Sequence, residues 1–246
     1  MTGKVFIVGG GAGDKDNITL RGYKLLRSAD AVVYDRLIPK GLLEYVNSKA
    51  KLFYVGKSPG SHFMTQDEIN SLLLELSERY NIVVRLKGGD PLTFGRGEEE
   101  CDYLLARGIN CEIIPGVPSY SAAAAKYGIP LAGRNYSSSF TVATGHLAEN
   151  KERKLDYSKL AKTADTLVLL MAARNSRKIL RQVIEAKGED EYGLIIQRLG
   201  EVDEAVICGK LIDLVEEVND HIRNPAVIII GKSVESGVKL GKIRCM

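Results

Sequence analysis

The chain has 246 residues, 45% of them hydrophobic and 26% charged, with a formal net charge of +3 at neutral pH. Those values suit a folded chain with enough length to bury one large core or two smaller ones, and they argue against disorder. So small a charge excess speaks against nonspecific nucleic-acid binding, and no apolar run approaches the ~20 residues of a membrane span; a local basic pocket for an acidic small molecule is what remains.

The N-terminus enters an apolar run almost at once, without the charged, apolar and small-residue regions of a secretory signal, so a cytoplasmic chain is expected. Residues 4–8 (KVFIV) read as a strand ending in the loop GGGAGD, followed by a helical pattern through Leu20, Tyr23, Leu25 and Leu26. Residues 31–34 (AVVY) read as a second buried strand running into Asp35 and Arg36, and 51–55 (KLFYV) as a third ending at Gly56 and Lys57. An amphipathic helix over 69–76 precedes the strand 82–86, after which the chain reads LKGGDPLTFGRGEEE. Residues 111–115 close at Pro115 and Gly116, and a boundary there gives domains 1–114 and 115–246. In the second domain, helices are expected over 121–127 and 176–186. Strands are expected over 139–143, 166–171, 193–197, more weakly near Val206, and over 226–230. Strands that end in polar or glycine-rich loops predict two α/β domains whose working edge lies at the strand C-termini.

GGGAGD invites a dinucleotide reading and fails it. Counted from Gly9, Asp14 takes the place of the third glycine; counted from Gly10, Ala12 takes the place of the second. Asp35 and Lys57, each delivered by a strand end, make a candidate base and acid, but Asp35 also suits a turn cap or a pair with Arg36. His62 and His146 read as loop residues. The GGDP stretch is either turn chemistry leading into an acidic first helical turn, Glu98 to Glu100, or a loop pressed against a ligand. Cys101, Cys111, Cys208 and Cys245 form no CxxC and no zinc-type cluster, so free structural thiols are expected and no metal.

The strings GGGAGD, VVYDRLI, VGKSPGSHFMTQDEIN, VRLKGGDPLTFGRGEEE, PGVPS, YGIPLAGR and TGH, in this order and spacing, resemble those of uroporphyrinogen-III C-methyltransferases, a branch of the tetrapyrrole methyltransferases. The resemblance covers nearly the whole chain and is strongest up to Glu100. It implies two α/β domains with a cleft between them, and S-adenosylmethionine as methyl donor with S-adenosylhomocysteine as product. The implied reaction is methylation of uroporphyrinogen III at C2 and C7 to precorrin-2, by way of precorrin-1. The implied assembly is a homodimer without nucleic acid or membrane partners. By position, Asp35 matches the family's proton acceptor and Lys57 its proton donor. Ala12, Gly88, Gly89, Asp90, Thr93, Pro118, Ser119 and Met171 match its cofactor contacts, with Leu199 or Gly200 near a glycine that meets the adenosyl group. Arg36, Arg96 and Arg134, with Lys57, are candidates for the substrate's carboxylates. Three departures stand out: Ala12 replaces a usual proline, PGVPSYSAAAA replaces PGITSA, and MAARN replaces MG-x-x-N. The PSYSAAAA form looks more like methyltransferases acting later on corrinoid precursors, so a sister precorrin enzyme is an alternative, as is a noncatalytic cofactor binder on the same scaffold.

Overall fold

A computed structural model describes residues 2–56, 64–146, 155–218 and 222–246. The chain divides into two compact units, Met1–Ser119 and Tyr120–Met246. The first contains β1 (Lys4–Gly9), α1 (Leu20–Ser28), β2 (Ala31–Tyr34), β3 (Lys51–Tyr54), α2 (Gln66–Arg79), β4 (Ile82–Lys87), α3 (Gly97–Leu105) and β5 (Cys111–Ile114). Its strands are all parallel in the order β3-β2-β4-β1-β5, so every strand delivers its following loop to one edge.

Both faces of the inner strands β2, β4 and β1 are covered, which is why these read as continuous apolar runs rather than alternating ones. Val5, Ile7, Val33 and Val83 pack with Ile69, Leu73 and Leu76 of α2 and Leu104 of α3. Phe6, Val8, Val32, Val84 and Leu86 pack on the other face with Leu26 of α1 and Leu42. Helix α2 starts before the apolar stripe of residues 69–76 because Thr65 and Glu68 form a capping box: the Thr65 hydroxyl accepts from the Glu68 amide at 3.3 Å, and the Thr65 amide donates to Glu68 Oε2 at 2.6 Å. Thr65→Ala is expected to cost about 1 kcal/mol, read as a lower urea midpoint at unchanged slope.

Helix α4 (Ser119–Tyr127) starts on the last residue of the first unit, and the second unit continues with β6 (Phe140–Thr144), α5 (Tyr157–Thr163), β7 (Thr166–Leu170), α6 (Ser176–Lys187), β8 (Tyr192–Gln197), β9 (Ala205–Lys210), α7 (Leu211–Glu217), β10 (Ala226–Ile230) and α8 (Val234–Lys239). Its sheet has the order β6-β7-β10-β8-β9, and only β6 and β7 are parallel neighbours. Since β10 runs antiparallel to both β7 and β8, these two point the same way and their C-termini share an edge.

The expectation of free thiols is corrected. Cys101 and Cys111 form a disulfide, as do Cys208 and Cys245, with Cα separations of 5.6 Å and 4.4 Å. The turn from α3 into β5 brings the first pair together. The second forms because the C-terminal segment folds back on β9, where the Met246 amide donates to the Cys208 carbonyl at 3.0 Å. No helix among the described residues is long and apolar enough to cross a membrane.

Candidate active site

At the C-terminal edge of the first sheet, four loops pack backbone against backbone, and this is what the glycines permit. The Gly10 amide donates to the Lys87 carbonyl at 2.7 Å, and Gly11 and Gly89 exchange amide-to-carbonyl bonds of 3.2 and 2.7 Å. A Cβ on Gly116 would lie 2.2 Å from the Gly89 carbonyl oxygen, one on Gly9 2.5 Å from the Gly116 nitrogen, and one on Gly88 2.1 Å from the Leu37 carbonyl oxygen. Gly89 differs. Its φ of +69° is left-handed, yet among the described residues a Cβ there would meet nothing nearer than the Ser119 nitrogen at 3.7 Å and the Pro118 Cα at 3.9 Å. A methyl-sized gap therefore faces Pro118 and Ser119, at the end of the first unit.

Asp90 fastens this arrangement. Its Oδ1 accepts from the Leu92 amide at 3.0 Å and the Thr93 hydroxyl at 3.3 Å, while its Oδ2 accepts from the Gly116 amide at 3.2 Å. The carbonyl of Ala12 accepts from Asn17 Nδ2 at 2.8 Å, pinning the first glycine loop. Ala12, Gly88, Gly89, Asp90, Thr93, Pro118 and Ser119 thus belong to one set of adjoining loops.

Asp35 follows β2 on the same edge. Its Oδ1 accepts from the Leu37 amide at 2.9 Å, a turn bond of the expected kind, but its ion-pair partner is Arg85 rather than Arg36: Arg85 Nη2 donates to Oδ2 at 3.0 Å. Arg85 lies on β4 and is buried, as are Lys87 and Glu100. Arg85 Nε and Lys87 Nζ approach Glu100 Oε1 at 3.3 and 2.9 Å, Gln66 Nε2 reaches the same oxygen at 3.3 Å, and Arg85 Nη1 donates to the Leu86 carbonyl at 2.9 Å. Burial, then the neighbouring Arg85 charge, hold the Lys87 ammonium below the usual lysine range despite Glu100. Sequence reasoning passed over this group; the available signal was two cations within the buried run VVRLK.

Lys57 and His62 lie outside the described residues. His146 is exposed and its amide donates to the Thr144 hydroxyl at 3.1 Å, a bond that turns the chain after β6. Arg36 and Arg134 are exposed, and neither forms an ion pair among the described residues. Arg96 is also exposed but forks onto Glu99, with Nε–Oε1 at 3.0 Å and Nη2–Oε2 at 2.6 Å, and this bonding holds the Glu99 carboxyl below the usual range.

In the second unit, Met171 follows β7 and is exposed, while Leu199 and Gly200 follow β8 on the same edge of that sheet. Leu199 is partly buried and packs against the hydrophobic cluster that includes Val168, Leu170 and Ile196. The Gly200 amide donates to Glu204 Oε2 at 2.6 Å, an oxygen that Lys126 Nζ also reaches at 2.6 Å. Among the described residues, the non-glycine positions with left-handed backbone are Phe94, Arg96, Met171 and Arg198. All follow strand ends in the loops already singled out, and strain of this kind gathers at functional sites.

A family model described as Tetrapyrrole (Corrin/Porphyrin) Methylases matches residues 4–215. The uroporphyrinogen-III C-methyltransferase of Methanocaldococcus jannaschii is 44% identical over 95% of this chain and 98% of its own length. That of Priestia megaterium is 42% identical over 94% of this chain and 98% of its own. Among solved structures, the uroporphyrin-III C-methyltransferase of Thermus thermophilus complexed with S-adenosylhomocysteine superposes with a TM-score of 0.80 at 34% identity, covering 95% of this chain and 99% of that one.

Proposed function

The chain belongs to the tetrapyrrole (corrin/porphyrin) methylase family, and we propose on that premise that it methylates uroporphyrinogen III at C2 and C7 with S-adenosylmethionine, giving precorrin-2 by way of precorrin-1. The observation that carries this reading is the reach of the match: both relatives align over 98% of their own length, through both units of this chain. It is a transferase rather than a binder, because the relatives are named as methyltransferases and Asp35 stands at a strand end where a base can act.

The residues present suit the cofactor. Among the glycines of LKGGDPLTFGRG, Gly88, Gly95 and Gly97 are closed off by atoms within 3.0 Å of an added Cβ, and Gly89 alone leaves a gap, beside Pro118 and Ser119. Ala12, Gly88, Gly89, Asp90, Thr93, Pro118 and Ser119 would hold the cofactor, with Asp90 acting through the loop it fastens. Met171, Leu199 and Gly200 stand as cofactor contacts on resemblance. When bound, the cofactor supplies an electrophilic methyl group on a sulfonium sulfur. The pyrrole carbons of the reduced macrocycle are electron-rich enough to take it, so the protein's task is alignment and exclusion of water. The ring must then lose a proton, and Asp35, held at both oxygens by the Leu37 amide and Arg85, is the base that takes it. Lys57 is the matching proton donor. Arg36 and Arg134, which pair with no carboxylate among the described residues, meet the substrate's acidic arms; Arg96 can join them by exchanging Glu99, since an exposed ion pair costs little to break.

A sister enzyme acting on a later precorrin is favoured by one segment, PSYSAAAA, in which Ala122, Ala123 and Ala124 are buried in α4. Parallel turnover assays with uroporphyrinogen III, precorrin-2 and later precorrins decide between the two: the present reading expects the highest kcat/KM on uroporphyrinogen III, and preference for a later precorrin overturns it. The same reading takes the working form to be a homodimer in the cytoplasm, supported by the resemblance and by the general preference for closed two-fold assemblies. Light scattering at micromolar concentration should give twice the chain mass, and a monomer contradicts it.

A further inference from the structure

The buried charges beneath Asp35 do more than fill space. Burying charges is costly, and a hydrophobic replacement of similar volume is often as stable, so a buried ionic group is weak evidence of a stabilising role. Here two cations, Arg85 and Lys87, meet two carboxylates, Asp35 and Glu100, at the end of β4. Asp35 is the most exposed of the four, with its side chain 22% exposed against 8% for Lys87, 4% for Arg85 and none for Glu100.

The bonding is directional. Arg85 spends Nε on Glu100 and Nη1 on the Leu86 carbonyl, which fixes the guanidinium plane, and presents Nη2 to Asp35 Oδ2. Glu100 in turn collects Arg85, Lys87 and Gln66 on one oxygen. Its other oxygen has no hydrogen-bond partner among the described residues. We propose that Arg85 is a positioning residue for methyl transfer: locked from behind by Glu100, it sets the orientation of the Asp35 carboxylate at the strand end and compensates its charge. This rests on the reading of Asp35 as the base. Lysine cannot reproduce it, because one ammonium cannot serve Glu100, the Leu86 carbonyl and Asp35 with fixed geometry.

The test is a double-mutant cycle on the full chain, with Arg85→Met, Arg85→Lys, Asp35→Asn and the two combinations, assayed for turnover of uroporphyrinogen III and for S-adenosylmethionine binding. Arg85→Met should lower kcat by about 10²-fold, the scale of a misplaced catalytic group, with cofactor Kd unchanged. Arg85→Lys should recover only part of that loss. In the Asp35→Asn background, Arg85→Met should cost less than about 3-fold more, because there is no base left to orient. An equal loss in both backgrounds makes Arg85 a scaffold residue and overturns the proposal while leaving Asp35 as the base. If Asp35→Asn itself keeps normal turnover, the reading beneath the proposal fails and the proposal with it. Loss of folded protein in both Arg85 variants also counts against it, since the network would then serve folding.

Discussion

Asp35→Asn should bind S-adenosylmethionine as the wild type does and transfer methyl groups ~10² to 10⁴ times more slowly, the usual range for removal of a general base. The amide keeps the size of the side chain, and its one oxygen can accept from the Leu37 amide or from Arg85, the two partners that hold the carboxylate now, though not from both as the two carboxylate oxygens do. What is lost is the negative charge and the ability to take a proton. Titration calorimetry and single-turnover rates separate the two effects. A rise in substrate KM at unchanged kcat would make Asp35 a substrate contact, and near-normal turnover would make it structural.

Gly89→Val should weaken S-adenosylmethionine binding by at least about 10²-fold. Two costs add: a β-branched residue at φ +69° is strained by about 1–2 kcal/mol, and its side chain occupies the gap beside Pro118 and Ser119. Gly108→Val separates them. Gly108 has φ +75° and, among the described residues, nothing within 4 Å of an added Cβ, so it carries the backbone strain alone. Both variants should melt a few degrees lower, and only Gly89→Val should lose the cofactor. Unchanged affinity in folded Gly89→Val removes Gly89 from the cofactor site.

The first sheet was legible because a parallel strand covered on both faces leaves an unbroken apolar run, as KVFIV, AVVY and IVVRL do. The antiparallel pairing of β8 with β9 and β10 was not, since pairing direction leaves no mark on a single strand. Helices α5, α7 and α8 span seven, seven and six residues, too short to develop a helical period. The glutamates at 98–100 read as one acidic turn, yet they part company: Glu98 is exposed, Glu99 forks onto Arg96, and Glu100 is buried against Arg85 and Lys87. Only the three-dimensional path of α3 distinguishes them. The glycines of GGDP were read as making room for a ligand, and at Gly89 there is room; Gly88 instead lets the loop carrying Asp35 come close, a contact between segments far apart in sequence.

The most direct measurement follows the methyl group itself. Wild-type protein is incubated anaerobically with uroporphyrinogen III and S-adenosylmethionine carrying ¹³C in its methyl group, and the product is examined by ¹³C NMR. The account predicts two new carbon-bound methyl signals, at C2 and C7 of the macrocycle, appearing in sequence as precorrin-1 gives way to precorrin-2. A macrocycle that stays unlabelled while the cofactor is intact, or a label attached at other positions, would contradict it.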